Sequence, residues 1–143
     1  MLKLYSMFHL NMMFSSISET DRETVIENCY WPLLKLADAG IPIAIEATGL
    51  TLEIVHSISP SWINGLRARV SAGLIEFIGS GYSQIIGPLV PASVNRWNQN
   101  LGLEVYEKLL SVRPHSVLVN EMAFSAGMIG HYIDSKYKSF IME

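Results

Sequence analysis

The sequence lacks the features that mark several classes of protein. Its single cysteine, Cys29, cannot form a disulfide within the chain and is typical of a reducing compartment. No apolar run reaches the roughly 20 residues that a membrane-spanning helix needs. The N-terminus lacks the basic segment, apolar segment and small-residue cleavage site of a signal peptide. We therefore expect a cytoplasmic protein that does not act at a membrane.

Charge is also scarce. Only 16% of the residues are charged, the net charge is -3, and lysine and arginine are scattered, which argues against a nucleic-acid surface. Half of the 143 residues are hydrophobic, enough for the core of one domain. Such an apolar composition is also typical of a piece of a larger domain, because the faces that its neighbours would cover count as surface.

Apolar runs alternate with amphipathic stretches along the chain. Strands are predicted at 2–11, 41–46, 75–78, 117–120 and 139–143. Helices are predicted between them, at 18–39, 50–58, 60–73, 91–110 and 125–136. Pro32 predicts a kink or a restart within the first helix. This order indicates parallel strands joined by right-handed crossovers.

Two architectures share this order of elements: an open doubly wound sheet and the first part of a barrel. The sequence stops on a strand with no covering helix, which favours the barrel. We therefore predict an α/β fold in which residues 1–143 form the N-terminal five βα units of a single, incomplete β/α barrel domain with parallel strands. Unpaired strand edges in such a piece would favour self-association.

Polar side chains stand where the predicted strands end. In a parallel βα array these ends gather on one face, where such proteins place their chemistry. A buried carboxylate is costly unless it is paired or hydrogen-bonded, so packing alone rarely selects several of them at equivalent positions. The residues at these ends are His9, Asn11, Glu46, Tyr82, Gln84, Glu121 and Glu143.

Other reactive side chains fit structural roles as well as, or better than, a role in a site. Glu76 lies near the start of its strand, where an ion-paired or edge residue is as good an explanation as a site residue. His56, His115 and His131 fall on helices or in loops, and the three tryptophans fall on helices, which indicates core rather than a platform for sugars. Metal-ligand spacing and phosphate-binding glycine motifs are missing, so no metal and no other cofactor is predicted.

Three segments resemble, in chain order, the signature regions of glycoside hydrolase family 57. Residues 73–91 resemble the second region, which runs from a Gly-x-hydrophobic-Glu core into a Gly-aromatic loop and a downstream proline. Residues 117–121 resemble the third region, a strand that ends in the catalytic nucleophile. Residues 8–11 lie where the first region, with its His-Gln-Pro, should fall.

The resemblance implies a (β/α)7 barrel that acts on α-glucans by a retaining mechanism, as a hydrolase or a 4-α-glucanotransferase, with Glu121 as nucleophile. A retaining glycosidase needs a second carboxyl group about 5–5.5 Å away. The family's acid/base aspartate would lie beyond position 143, so this chain alone is expected to be inactive. The residues expected to contact the oligo- or polysaccharide substrate are His9, Asn11, Glu46, Glu76, Tyr82 and Gln84.

The sequence departs from the family pattern at three places, the first of which is Glu46, where a different polar residue is expected. Asn11, Met12 and Met13 occupy the place of His-Gln-Pro, and Gln84 stands where the loop usually carries a glutamate. Two alternatives therefore stay open. One is a catalytically silent carbohydrate-binding or structural barrel, and the other is a deacetylase-like barrel that would need a metal.

Overall fold

The computed structural model describes residues 6–142, and within them β-strands alternate with helices as the sequence predicts. The strands are β1 (Ser6–Leu10), β2 (Ile43–Ala47), β3 (Ile75–Ile78), β4 (Ser116–Leu118) and β5 (Ser139–Ile141). Predicted strand residues 2–5 and the strand-end carboxylate Glu143 lie outside the described residues.

Six α-helices connect or flank these strands within the described part of the chain. They are α1 (Arg22–Val25), α2 (Trp31–Asp38), α3 (Gly49–Ile58), α4 (Pro60–Ser71), α5 (Ala92–Leu110) and α6 (Ile129–Asp134). A π-helical turn, Ile26–Tyr30, joins α1 to α2, and Pro32 lies in the first turn of α2. The predicted restart is confirmed, because proline has no N–H to continue the hydrogen-bond ladder but fits the start of a helix.

The spatial order of the strands follows their order in the chain. β1, β2 and β3 pair in parallel, as do β4 and β5. A parallel bridge between Gly79 and Val117 joins the two sheets, and the N–H of Leu118 donates to the carbonyl of Gly79 at 2.7 Å. A doubly wound sheet would reverse its strand order at a switch point. This sheet does not reverse along its described strands, as expected for part of a barrel.

The two faces of the sheet carry different residues. The outer face packs against the helices, where Ile45, Phe77 and Val117 join the main core. The inner face holds a much smaller apolar cluster of Ala44, Ile78 and Leu118, with Ile141 against it. No helix within residues 6–142 combines the length and the apolar character needed to cross a bilayer.

Candidate functional site

A cleft of about 440 Å³ opens where the chain leaves the carboxyl ends of the strands. We call it the strand-end cleft. Its lining residues are His9, Asn11, Phe14, Ile17, Val25, Tyr30, Gln84 and Glu121. The fold thus brings together four of the residues that the sequence predicts for the site, from the ends of β1, β3 and β4.

His9, which lines the cleft, is paired with a buried carboxylate. The register of β1 and β2 places His9 beside Glu46, and Nδ1 of the imidazole forms a short hydrogen bond with Oε2 of the carboxylate. Glu46 is fully buried. Its second oxygen, Oε1, has no hydrogen-bond partner among the described residues. His9 is therefore the polar contact that compensates for burying this carboxylate.

Two carboxylates raise the pKa of His9 above its usual value. The hydrogen bond that the ring donates to Glu46 is the largest cause, and the negative charges of Glu46 and Glu121 add to it, whereas partial burial of the ring acts in the opposite direction. An opposite charge nearby favours the protonated imidazole, and burial disfavours it. The charge of Glu121 thus reaches His9, although His9 lies on β1 and Glu121 lies in the turn after β4.

Two side-chain amides extend the pair across the cleft. Nε2 of Gln84 lies 3.1 Å from Nε2 of His9, and Nδ2 of Asn11 donates to Oε1 of Gln84 at 2.8 Å. The backbone N–H of Met13 donates to Oδ1 of Asn11 at 2.9 Å. The result is a continuous hydrogen-bonded chain from a backbone N–H to the buried Glu46.

The loop after β3, which carries Gln84, is held from two sides. From α5, Oδ1 of Asn98 accepts from the N–H of Ser83 at 2.8 Å, and Nδ2 of Asn98 donates to the Ser83 carbonyl at 3.1 Å. From the end of β4, Asn120 donates to the carbonyl of Ser80 at 3.0 Å. Both amides are buried, so the hydrogen bonds that fix the loop are shielded from water.

Close backbone packing holds the same loop against α5. Gly81 has φ +90°, which favours glycine, and a Cβ there would lie 2.3 Å from Nδ2 of Asn98. A Cβ on Gly102 would lie 2.5 Å from the carbonyl carbon of Gly81. Tyr106 accepts a hydrogen bond from the N–H of Ser80 at 3.1 Å. The loop can approach α5 this closely because glycines face each other there.

A left-handed turn presents Glu121 to the cleft. The prediction of a strand through Asn120 is wrong, because β4 ends at Leu118 and a 3₁₀ turn, Asn120–Met122, follows. Glu121 and Met122 have φ of 55° and 52°, values that non-glycine residues rarely adopt. The amide of Asn120 turns inward to the loop after β3, which takes the backbone out of the strand ladder. Such strain is common at functional sites.

The structure places two further predicted site residues away from this cleft. The hydroxyl of Tyr82 donates to Oε2 of Glu53 at 3.0 Å, in a groove beside α5, and this hydrogen bond, aided by burial, raises the pKa of Tyr82. Glu76 is exposed near the start of β3 and accepts from the hydroxyl of Ser116 at 3.2 Å. The roles of Tyr82 and Glu76 toward a substrate stay predictions.

The apolar residues of the cleft were not predicted from the sequence. Phe14, Ile17, Val25 and Tyr30 line the cleft, from the loop after β1 and the helical segment that follows. Burial raises the pKa of the Tyr30 phenol, so it stays protonated and can donate a hydrogen bond. The available signal was an aromatic and an aliphatic residue in a serine-rich βα loop, which is where barrel proteins build their sites.

The cleft does not supply a metal-binding set. Histidine, cysteine, aspartate and glutamate side chains do not gather in groups of three or more within residues 6–142. His9 and Glu46 are paired with each other. A catalytic zinc takes three protein ligands. The residues present in this part of the chain therefore do not fit the metal that a deacetylase-like barrel would need.

Parallel strands in chain order, helices on the outer face and a polar cleft at the strand ends define a β/α-barrel protein. The chain belongs to glycosyl hydrolase family 57, whose family model matches residues 3–143. This confirms the resemblance found in the sequence. No curated protein matches the chain.

Solved structures share the fold. The 4-α-glucanotransferase from Thermococcus litoralis has a TM-score of 0.77 and 12% identity, over 98% of this chain and 23% of that one. The α-amylase from Thermotoga maritima has a TM-score of 0.77 and 13% identity, over 96% of this chain and 39% of that one. The predicted α/β fold is confirmed, and its five strands match the N-terminal part of a larger barrel.

A third neighbour shows that this fold carries more than one kind of chemistry. The family 4 carbohydrate esterase from Streptomyces lividans, solved in complex with acetate, has a TM-score of 0.67 and 13% identity, over 98% of this chain and 62% of that one. The chain thus spans less than two thirds of each of these three proteins. At such identities the likeness shows the fold alone, and function has to be argued from the site.

Proposed function

We propose that the protein acts on α-glucans as a retaining glycosidase or glucanotransferase, with Glu121 as the nucleophile. Membership of family 57 supports a carbohydrate-active protein. The observation that carries the finer assignment is the position of Glu121, an exposed carboxylate at the strand-end cleft on a strained turn. A nucleophile has to be ionised and within reach of the substrate, and the cleft gives Glu121 that access.

The reaction follows from a carboxylate at this position. An oxygen of Glu121 attacks the anomeric carbon, the bond from that carbon to the leaving oxygen breaks, and a second carboxyl group protonates the leaving oxygen. Water or a sugar hydroxyl then takes the glycosyl group from Glu121, with the second group now acting as base. Attack by water gives hydrolysis, and attack by a sugar hydroxyl gives transfer.

The other cleft residues suit a sugar. Asn11 and Gln84 each use one amide hydrogen within the protein, which leaves the second for a sugar hydroxyl. Phe14, which is exposed in the same cleft, supplies apolar surface against which the C–H face of a pyranose can pack. We propose Asn11 and Gln84 as hydrogen-bonding contacts on the polar side of the substrate, with His9 beside them as a contact through its ring edge, because both of its ring nitrogens are bonded within the protein.

The proton donor comes from outside residues 6–142 in this proposal. Glu121 is the one carboxylate that lines the cleft among the described residues. Glu46 lies near, but it is fully buried and bonded to His9. It therefore holds His9 rather than protonating a leaving group, and the 143-residue chain alone is expected to turn over little.

The test incubates the full-length protein with maltooligosaccharides and follows the products. Glu121→Gln keeps the shape of the side chain and removes the nucleophile, so turnover should fall by roughly 10⁴-fold or more with the fold intact. The control is Glu107→Gln, which changes an exposed carboxylate on the outer helix α5 and should leave turnover unchanged. Wild-type activity in the Glu121→Gln variant would show that the nucleophile assignment is wrong.

A second readout separates a nucleophile from a merely structural carboxylate. Glu121→Ala leaves room for azide, which can attack the anomeric carbon in place of the missing side chain. A retaining nucleophile predicts recovered cleavage and a glycosyl azide of inverted configuration. Recovery without that product would contradict the covalent mechanism.

The silent-barrel alternative is favoured by the residues that differ from the family pattern, Asn11 and Gln84. It predicts that the wild-type protein binds maltooligosaccharides but releases no product, which calorimetry and chromatography on the same sample distinguish.

A further inference from the structure

We propose that a backbone N–H sets the proton position on His9 from a distance, through two side-chain amides. The amides are those of Asn11 and Gln84, and we call them the amide relay. They connect the N–H of Met13 to the imidazole. Asn11 and Gln84 are thereby positioning residues for His9, whatever reaction the cleft carries out.

The orientation of both amides in the relay follows from the backbone N–H of Met13, which can only donate a hydrogen bond. A side-chain amide can exchange its oxygen and nitrogen by rotating half a turn, whereas a backbone N–H always donates. The N–H of Met13 lies 2.9 Å from the Asn11 side chain, so the atom it meets has to be Oδ1. Nδ2 of Asn11 then faces Gln84, at 2.8 Å.

The orientation of the Gln84 amide is fixed in the same way. Because Asn11 offers an N–H, Gln84 has to present Oε1 to it, and Nε2 of Gln84 then faces His9 at 3.1 Å. Nε2 of His9 has to accept this hydrogen bond with its lone pair, so it carries no proton. Nδ1 carries the proton of the neutral ring and donates it to Glu46. The relay thus selects the Nδ1–H tautomer.

The relay opposes the charges around the ring. The titratable groups that face His9 or share its cleft are Glu46 on β2, Glu121 after β4 and Tyr30 on the π-helical turn. The two carboxylates raise the pKa of His9. If both ring nitrogens were protonated, the Nε2–H of His9 would face the N–H of Gln84, and two donors would meet. If both amides turned to avoid this, the Nδ2–H of Asn11 would face the N–H of Met13, and two donors would meet there instead. The relay therefore resists protonation that the carboxylates favour.

The wild-type protein tests the tautomer directly. The full-length protein is labelled with ¹⁵N-histidine, and the ring nitrogens of His9, assigned with His9→Gln, are followed through a pH titration. Above the pKa of His9, Nδ1 should carry the proton and Nε2 should show the shift of an unprotonated nitrogen. A neutral ring with the proton on Nε2 would overturn the proposal. This readout needs no turnover, so it stands apart from the fate of the proposed glycosidase activity.

Two uncharged substitutions test the relay itself. Asn11→Ala does not touch His9 but frees the Gln84 amide to turn, so the pKa of His9 should rise by about half a unit to one unit. Gln84→Met removes the donor and replaces it with an apolar chain of similar length. Loss of the donor predicts a rise in this pKa, whereas added desolvation alone predicts a fall.

The matched control is Asn100→Ala, which removes an exposed asparagine on α5 and should leave the pKa of His9 unchanged. Retained circular dichroism shows that each variant folds. An unchanged or lower pKa of His9 in both Asn11→Ala and Gln84→Met would overturn the relay, and because the wild-type spectrum is a separate test, a variant that fails to fold does not remove it.

Discussion

The two faces of the sheet differ in the kind of side chain that they bury. On the outer face, Ile43, Ile45 and Phe77 meet apolar side chains of the helices. On the inner face, the same strands carry the buried Glu46 and the exposed Glu76 beside the smaller apolar cluster that contains Ala44 and Ile78. Helix-facing burial is favourable without further conditions, whereas each buried polar group needs a partner. The burial of apolar side chains on the outer face therefore offsets the destabilising polar groups that form the site on the inner face.

Glu46 shows the cost of burying a polar group on the inner face. Its carboxylate is fully buried, one oxygen is bonded to His9, and the other has no partner within residues 6–142. A partly satisfied buried carboxylate destabilises a fold, and here it is the group that holds His9 at the cleft. Removing matched residues from the two faces should separate these contributions.

The largest difference is expected between Ile45→Ala and Ile78→Ala. Both isoleucines are fully buried, on neighbouring strands, but Ile45 belongs to the main core and Ile78 to the small inner cluster. Ile45→Ala should lower the free energy of unfolding by about 4 kcal/mol, and Ile78→Ala by about 2 kcal/mol, because the open inner face can close around the gap. Urea unfolding of both variants measures this. Equal losses would contradict the division of roles between the faces.

A smaller loss is expected where the loop after β3 meets α5. A methyl group added in Gly102→Ala would strike the backbone of Gly81 and Tyr82, at 2.5–2.8 Å. Overpacking of this kind costs about 1–3 kcal/mol. In Gly130→Ala, on α6, the same methyl group meets nothing within 4 Å, so stability should hold or rise slightly. Thermal unfolding of the pair checks this, and equal melting temperatures would contradict the close packing.

The repeating parts of this structure could be predicted from the sequence. Apolar runs gave the strands, and Pro32 and Pro91 marked helix starts because proline has no N–H to donate. Because the strands are parallel, the location of His9 and Glu121 at one end of the sheet could be predicted from strand direction alone. Periodicity and strand direction determine these features.

The remaining parts depend on contacts between distant segments. Glu121 adopts a left-handed conformation with no glycine to signal it, because Asn120 is drawn to the loop after β3. Tyr82 bonds to Glu53 on α3, a distant segment, directly after Gly81 turns the backbone with φ +90°. The amide relay joins residues far apart in the chain, and single-sequence patterns do not encode such pairs.

Glu46→Gln should lower the pKa of His9. The substitution removes the largest cause of its rise and leaves the charge of Glu121. Because the folded pKa of His9 is raised, protonated His9 stabilises the fold below its usual pKa of 6.5, and that stability is lost as pH rises through the folded value. In Glu46→Gln the pH window of this loss should move down.

The measurement is the free energy of unfolding between pH 5 and pH 9, a range of about four units around the pKa of histidine, together with the ¹⁵N titration of His9. Glu53→Gln is the control, since this carboxylate pairs with Tyr82 and is not among the groups that raise the pKa of His9. If the pH range in which stability is lost moved equally in both variants, the pH dependence would not come from the His9–Glu46 pair.

The smallest effect is expected at the other end of the inner face, in Ser116→Ala. The hydroxyl of Ser116 bonds to Glu76 at 3.2 Å and to Ser139 at 2.9 Å, and both partners are exposed. Water can replace the lost hydroxyl, so stability should fall by only about 0.5–1 kcal/mol. The exposed donor Ser57, which bonds to the carbonyl of Ile54, provides the control Ser57→Ala with a change near zero. A gain in stability from Ser116→Ala would mean that polar residues on the inner face are a cost even where they are bonded to each other.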